Sequence, residues 1–363
     1  MKAIQFHGKE DIRLNEVSVP AVQPGNVKIR PAFVGICGTD VHEYTRGATL
    51  IPEEQHTLTG RCAPLTIGHE ISGVVDEIGP DVTDVHIGDR VAIQPILSDG
   101  SCYACQLKRP NCCVRQGFYG LSTDGGLAEY LVVEAKNARK VPANVSLEVA
   151  ALVEPLSVAW HAVNNSVTDL TTSALVVGAG PIGLCVMQSL KAKGISRIIA
   201  VETNDARQTL TTQAGATHFI NPLTENVASV CASLCADTGG VHVAYDTAGK
   251  QVTLDQCISV LCVGGTVVNI AVWGGEAKIL PNSFLFGEKR YMGTAVYTPE
   301  DFDEVIEAIG SGRMDPEFLI TARIGLSQLV PHGILKLRDN PGSDIKILER
   351  LENIAERAEE VQV

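Results

Sequence analysis

The apolar run Ala174-Leu175-Val176-Val177 leads directly into Gly178, Gly180 and Gly183, spaced as G-x-G-x-x-G. Few folds accept such a segment. A short run of this composition predicts a buried parallel strand. Gly178 then permits the tight turn, Gly180 lets a pyrophosphate approach bare backbone, and Gly183 lets the helix opening at Pro181 and Ile182 pack closely on the sheet. The phosphates would rest on the helix N-terminus, where free N–H groups and the dipole favour anions. A glycine turn before any helix carries the same letters, so the neighbouring sequence has to decide. A second apolar run, Arg197 to Val201, ends in Glu202, 19 residues beyond Gly183, the distance at which a carboxylate meets the adenosine ribose hydroxyls. That carboxylate would repel a 2′-phosphate, which favours NAD over NADP. Arg207 is the nearby cation able to hold such a phosphate, or else a solvated charge on a helix start. Strand-like runs at Ala216 to Ile220, Val241 to Asp246 and Gly265 to Ile270 alternate with helical stretches, predicting a doubly wound α/β sheet.

With 363 residues the chain exceeds one typical core, and two domains are expected. A hydrophobic share of 45% with 20% charged residues fits a soluble globular protein, and a net charge of −13 argues against nucleic acid or an anionic membrane as partner. Met1 to Phe6 lacks the basic and apolar regions of a secretory signal, so a cytoplasmic location is expected. The 11 cysteines then read as thiols or metal ligands rather than a disulfide framework. Cys185, Cys231, Cys235, Cys257 and Cys262 fall in apolar or helical stretches and are expected to be buried small hydrophobes. Cys62 has no assignable role.

The first 150 or so residues carry short alternating runs, such as Val27 to Arg30, Val74 to Gly79 and Gly88 to Ile93, which predict a compact β domain. A helical stretch from Leu147 to Val163 joins it to the nucleotide domain. Beyond Val296, Asp301 to Ile309 predicts an amphipathic helix ended by Gly310. Leu319 to Ile324 predicts a strand rejoining the β domain, and the charged tail from Ile345 an amphipathic terminal helix. The expected division is 1–155 with 296–363, and 156–295.

Two clusters in the first domain carry chemistry. Cys37-Gly38-Thr39-Asp40-Val41-His42 is followed, after a long loop, by Gly68-His69-Glu70. Cys37, His69 and Glu70 are all zinc-ligand types, and one thiolate with one carboxylate would neutralise the ion without closing the site. Glu154, just before Pro155, is a further candidate, as a direct ligand or through water. The second cluster is Asp99-x2-Cys102-x2-Cys105-x7-Cys113, whose spacing resembles a closed structural zinc site. Spacing favours Asp99 as its fourth ligand, with Cys112, next to Cys113, a spare thiol that could substitute for it.

Taken together, Cys37 to His42, Gly68 to Glu70, the cysteine lobe, Glu154 to Ala159 and the nucleotide turn resemble the zinc-dependent medium-chain alcohol dehydrogenases. The long loop with Gln55 to Gly60, the Asp99 start of the lobe and the pair Cys112-Cys113 resemble the butanediol branch more closely than the sorbitol branch. The resemblance implies a GroES-like β catalytic domain with a structural zinc lobe, a Rossmann NAD domain, two zinc ions per chain, and a homodimer or homotetramer. It further implies oxidation of a small secondary alcohol or diol, (R,R)-2,3-butanediol to acetoin and the reverse, by hydride transfer to NAD. The zinc held by Cys37, His69 and Glu70, with Glu154 close by, would activate the hydroxyl, and Thr39, the cofactor ribose and His42 would relay the proton. A polyol dehydrogenase is the alternative substrate assignment. An NAD-binding redox sensor is the non-enzymatic one, and the open zinc set weighs against it.

Overall fold

The computed structural model describes residues 1–351 except 168, 341 and 343. The chain forms two compact units, one of Met1–Glu154, Thr298–Gly310 and the chain from Ile320, the other of Pro155–Tyr297 with Ser311–Leu319. The sequence expectation placed all of 296–363 with the first unit. Instead, Ser311–Leu319 returns to the second, because Met314 and Leu319 are buried and the turn Glu317–Leu319 packs on the helix Gln208–Ala214.

The first unit is built on a seven-stranded sheet whose central strand is Asn26–Gly35. Val27 and Ile29 alternate into the core, and beyond the register slip at Pro31 Val34 enters it too, with Ile71, Val75, Val91, Ile93 and Ile347. Burying each such side chain stabilises by about 1.5–3 kcal/mol. On one side it pairs antiparallel with Glu70–Ile78, Gly35 opposite Glu70, and the register slips beside Pro31, which has no N–H to give the ladder. On the other side it pairs with Lys346–Arg350, Leu348 opposite Gly35 and Glu349 opposite Val34. Ile320–Gly325 then adds parallel to Lys346–Arg350. Three segments remote in sequence therefore lie side by side at Gly35.

The strand Lys346–Arg350 corrects the expectation of a terminal helix from Ile345. Its charged residues suit a helix locally, but strands pair along both of its edges, and that tertiary context overrides local preference. The rest of the expected helix lies outside the described residues. The helical stretch from Leu147 is two helices, Leu147–Ala150 and Val153–Asn164. Ser146 caps the first by accepting from the Val149 amide at 3.1 Å, and Pro155 sits in the first turn of the second, where its missing N–H costs nothing.

The second unit holds a six-stranded parallel sheet in the order His218–Ile220, Arg197–Val201, Ser173–Val177, Val241–Asp246, Leu261–Asn269, Arg290–Gly293. Ser173–Val177 is buried throughout, as a strand covered on both faces must be, which is why it reads as a continuous apolar run. The order reverses at this strand, the point at which open parallel sheets bind ligands. The sixth strand was not legible beforehand. Cys185, Cys231, Cys235, Cys257 and Cys262 are buried as expected. Among the described residues no helix is long and apolar enough to cross a membrane.

Candidate metal centres and nucleotide turn

Cys37 stands immediately before the helix Gly38–Arg46, which starts there because Asp40 in its first turn accepts the Cys37 amide at 2.9 Å. Gly68 turns the chain into His69 and Glu70 with φ +93°, and a Cβ on it would sit 2.8 Å from both Leu127 and Val34. The donor atoms of half-buried Cys37 and of buried His69 and Glu70 lie within 4.8 Å of one another. Zinc bonds of roughly 2.0–2.3 Å to a thiolate, an imidazole and a carboxylate require such spacing, so the three residues fit the ion.

Their surroundings are equally built. His69 Nδ1 lies 3.8 Å from Asp40 Oδ1, and among the described residues neither of these buried atoms has a hydrogen-bond partner. That arrangement leaves Nε2 as the natural metal-facing atom, with Asp40 behind the ring. Burial opposes a charged His69, but the charges of Asp40 and Cys37, a hydrogen bond to Cys37 and the charge of Glu154 outweigh it and raise its pKa well above the ordinary value. Burial raises that of Asp40, against the opposing effect of His69. The Glu70 carboxylate accepts from Lys346 Nζ through both oxygens, at 2.6 and 2.8 Å. Sequence reasoning missed Asp40 and Lys346 as parts of this site. Asp40 lay inside the quoted motif as a first-turn acid, whereas nothing near Lys346 in sequence signalled its partner.

Glu154 is buried but is not one of the converging donors. It acts on His69 through its charge. Thr39 Oγ1 is 3.6 Å from Cys37 Sγ, and His42, a turn later, faces solvent. Partial desolvation, then the charge of Arg46, lower the His42 pKa. Among the described residues no hydrogen bond joins Thr39 to His42.

In the lobe, the donors of Asp99, Cys102, Cys105 and Cys113 converge, and Cys112 is exposed outside them. Cys102 Sγ is 3.5 Å from Cys105 Sγ and 3.9 Å from Cys113 Sγ, and Cys105 Sγ is 3.4 Å from Asp99 Oδ1. These gaps are too long for disulfides and close to the roughly 3.8 Å that tetrahedral zinc–sulfur bonds impose. The amides of Cys102 and Ser101, followed by Arg115, hold the Asp99 carboxyl well below its usual range. The amides of Cys105 and Val114 lower Cys102, while burial and the neighbouring thiols push Cys105 up to about 12. A divalent cation would let all four ionise together.

At the nucleotide turn, Gly178 has φ +101° and a Cβ on Gly183 would lie 1.9 Å from the Gly178 carbonyl oxygen. Gly180 faces open space and precedes the helix Pro181–Ala192, in which Pro181 and Ile182 form the first turn. Glu202 ends the adjacent strand. It accepts the Ala179 amide at 2.9 Å and the Thr203 and Asn204 amides at 2.8 and 3.0 Å, and Arg207 Nη1 lies 3.4 Å from it. Burial works against this charge, but the amides and Arg207 win and lower the Glu202 pKa.

Residues 23–143 match the alcohol dehydrogenase GroES-like domain, and residues 181–311 match the zinc-binding dehydrogenase family. This chain belongs to the zinc-type alcohol dehydrogenases. It is 37% identical to the (R,R)-butanediol dehydrogenase of Saccharomyces cerevisiae (strain ATCC 204508 / S288c), over 96% of this chain and 97% of that protein. The crystal structure of 2R,3R-butanediol dehydrogenase from Bacillus subtilis matches with a TM-score of 0.90 at 36% identity, covering 96% of this chain and 99% of that one. Two further dehydrogenase structures match with TM-scores of 0.86. One, from E. coli CFT073 with NADH, is 26% identical over 97% of this chain and 99% of that one; the other, from Sinorhizobium meliloti 1021 with NADP, is 28% identical over 96% and 98%. As a zinc-type alcohol dehydrogenase the protein is an oxidoreductase of small molecules that works with zinc and a nicotinamide cofactor.

Proposed function

We propose that this dehydrogenase interconverts (R,R)-2,3-butanediol and acetoin with NAD. The convergence of Cys37, His69 and Glu70 into one three-donor set, in a chain so similar to butanediol dehydrogenases, carries this reading. Zinc held by those three residues would supply Lewis acidity to a substrate oxygen, and three protein donors are the number a catalytic zinc site uses. Thr39, beside the Cys37 sulfur, would accept the hydroxyl proton, and solvent-facing His42 would return it to water, while a bound nicotinamide cofactor would supply the hydride acceptor. Glu154 shapes the charge at His69 without being a direct ligand. Asp99, Cys102, Cys105 and Cys113 hold a second, structural zinc that keeps the lobe folded.

Gly178, Gly180 and Gly183 would admit a pyrophosphate, and Glu202, whose charge is favoured by three amides and Arg207, would receive ribose hydroxyls and disfavour a 2′-phosphate. These features support NAD as the cofactor. Exposed Leu280, Leu285 and Phe286 accompany the outermost strand Arg290–Gly293, an apolar surface suited to a second copy of the chain and hence to a homodimer or homotetramer. This reading goes with a cytoplasmic location, where thiols that hold a metal stay reduced. The test is metal analysis together with a panel of 2,3-butanediol stereoisomers, acetoin, sorbitol and xylitol, run with NAD and NADP on the wild type and on Cys37→Ser. Two zincs per chain, preference for the (R,R)-diol with NAD, and a folded but inactive Cys37→Ser are expected. Faster turnover of sorbitol than of any butanediol would overturn the substrate, and full activity of Cys37→Ser would overturn the site.

A further inference from the structure

Lys346 follows Glu70 by 276 residues, yet the two side chains are buried against each other, 5% and 0% exposed. An ammonium taken out of water is tolerable only when its donors are satisfied, and Lys346 Nζ uses three. Two go to Oε1 and Oε2 of Glu70, and the third goes to the Ile36 carbonyl at 3.2 Å. Ile36 is the residue just before Cys37. One cation thus bridges the two segments that bring Cys37 and Glu70 together.

The backbone enforces the same meeting. Ile36 donates its amide to the Ile347 carbonyl at 3.0 Å, Leu348 pairs with Gly35, and Gly35 pairs with Glu70 on its other side. A Cβ on residue 35 would lie 1.9 Å from Glu70 Oε2, so only glycine leaves room for the carboxylate in this pose. The carboxylate lies against bare backbone and is gripped from beyond by the ammonium. Neither oxygen can turn away without breaking a short charge-assisted hydrogen bond.

We propose that Lys346 is a positioning residue of the Cys37–His69–Glu70 metal site, holding the Glu70 carboxylate in its ligand pose and tying the strand Lys346–Arg350 to metal retention. This rests on the reading of that set as a zinc site. Lys346 touches neither substrate nor cofactor in this role. It acts through Glu70, as hydrogen-bonded partners of metal-ligating carboxylates do.

The test uses the full-length protein loaded with zinc, or with cobalt(II) as an optical probe, and competes the metal away with a chelator. The lobe zinc of the same chain is the internal control for folding. In Lys346→Met the first-site metal is expected to leave about 10- to 100-fold more readily, with an altered cobalt spectrum and the lobe metal retained as in the wild type. Lys346→Arg, which restores charge and donors, is expected to recover part of that loss. If Lys346→Met does not fold, Lys346→Gln keeps a donor and carries the same readout. A folded Met or Gln variant that holds first-site metal within about twofold of the wild type, or more tightly, overturns the proposal. A wild type that holds metal only in the lobe overturns instead the metal reading on which the proposal depends.

Discussion

Replacing Glu349 with leucine should stabilise the first unit, and do so more strongly as the pH rises. Glu349 is fully buried on the strand Lys346–Arg350, between Val34 on one neighbouring strand and Ile324 on the other. Neither of its carboxyl oxygens has a hydrogen-bond partner among the described residues. Burial alone raises its pKa from 4.5 to about 8. The folded protein therefore binds this proton more tightly than the unfolded chain does. Below the unfolded pKa the group imposes no ionisation penalty. Between pH 4.5 and 8 stability falls by about 1.4 kcal/mol per pH unit, and above the folded pKa the loss levels off at about 5 kcal/mol. Glu349→Leu removes this slope and adds apolar contact with Val34. The two tryptophans, Trp160 and Trp273, both lie in the second unit, so amide hydrogen exchange of the strands 26–35 and 346–350, at several pH values with zinc held constant, is the suitable assay. The difference in opening free energy between variant and wild type should widen steadily from pH 5 to 8. A difference that stays constant with pH would refute the reasoning, because it would mean that the carboxyl finds a partner or water in the folded state.

Three further outcomes are expected. Gly183→Ala places a methyl 1.9 Å from the Gly178 carbonyl oxygen and should cost about 1–3 kcal/mol in the second unit and abolish NADH binding, followed by cofactor fluorescence, while the zinc content stays unchanged. Glu202→Ala removes the carboxylate beside Arg207 and should shift the ratio of kcat/KM for NAD over NADP toward NADP by about 10- to 100-fold, or 1.4–2.7 kcal/mol; an unchanged ratio would remove Glu202 from cofactor choice. Cys113→Ser should lose one zinc per chain and loosen residues 99–115, read as new proteolytic cleavage there, whereas Cys112→Ser should lose none; the reverse pattern would put Cys112 in the ligand set.

The nucleotide turn and the lobe were legible because their physics is local. Gly178, Gly180 and Gly183 act within one strand-to-helix connection, and four lobe donors fall within 15 residues, so the lobe shows in its spacing and the turn in its spacing together with the strands that flank it. The donors Cys37, His69 and Glu70 were legible as types, and so was the acid Glu202. Their support was not. Lys346 meets Glu70 only because its strand inserts between Asn26–Gly35 and Ile320–Gly325, and the same insertion made a strand of a segment whose charges suggested a helix. Asp40 reads as a helix-start acid until His69 arrives beside it from a distant turn. Glu349 looks like a surface charge until pairing on both edges buries it. Local sequence thus determined which chemical groups the protein carries and where its glycines must turn. Long-range strand pairing decided which of those groups are desolvated, and so which charges must be matched.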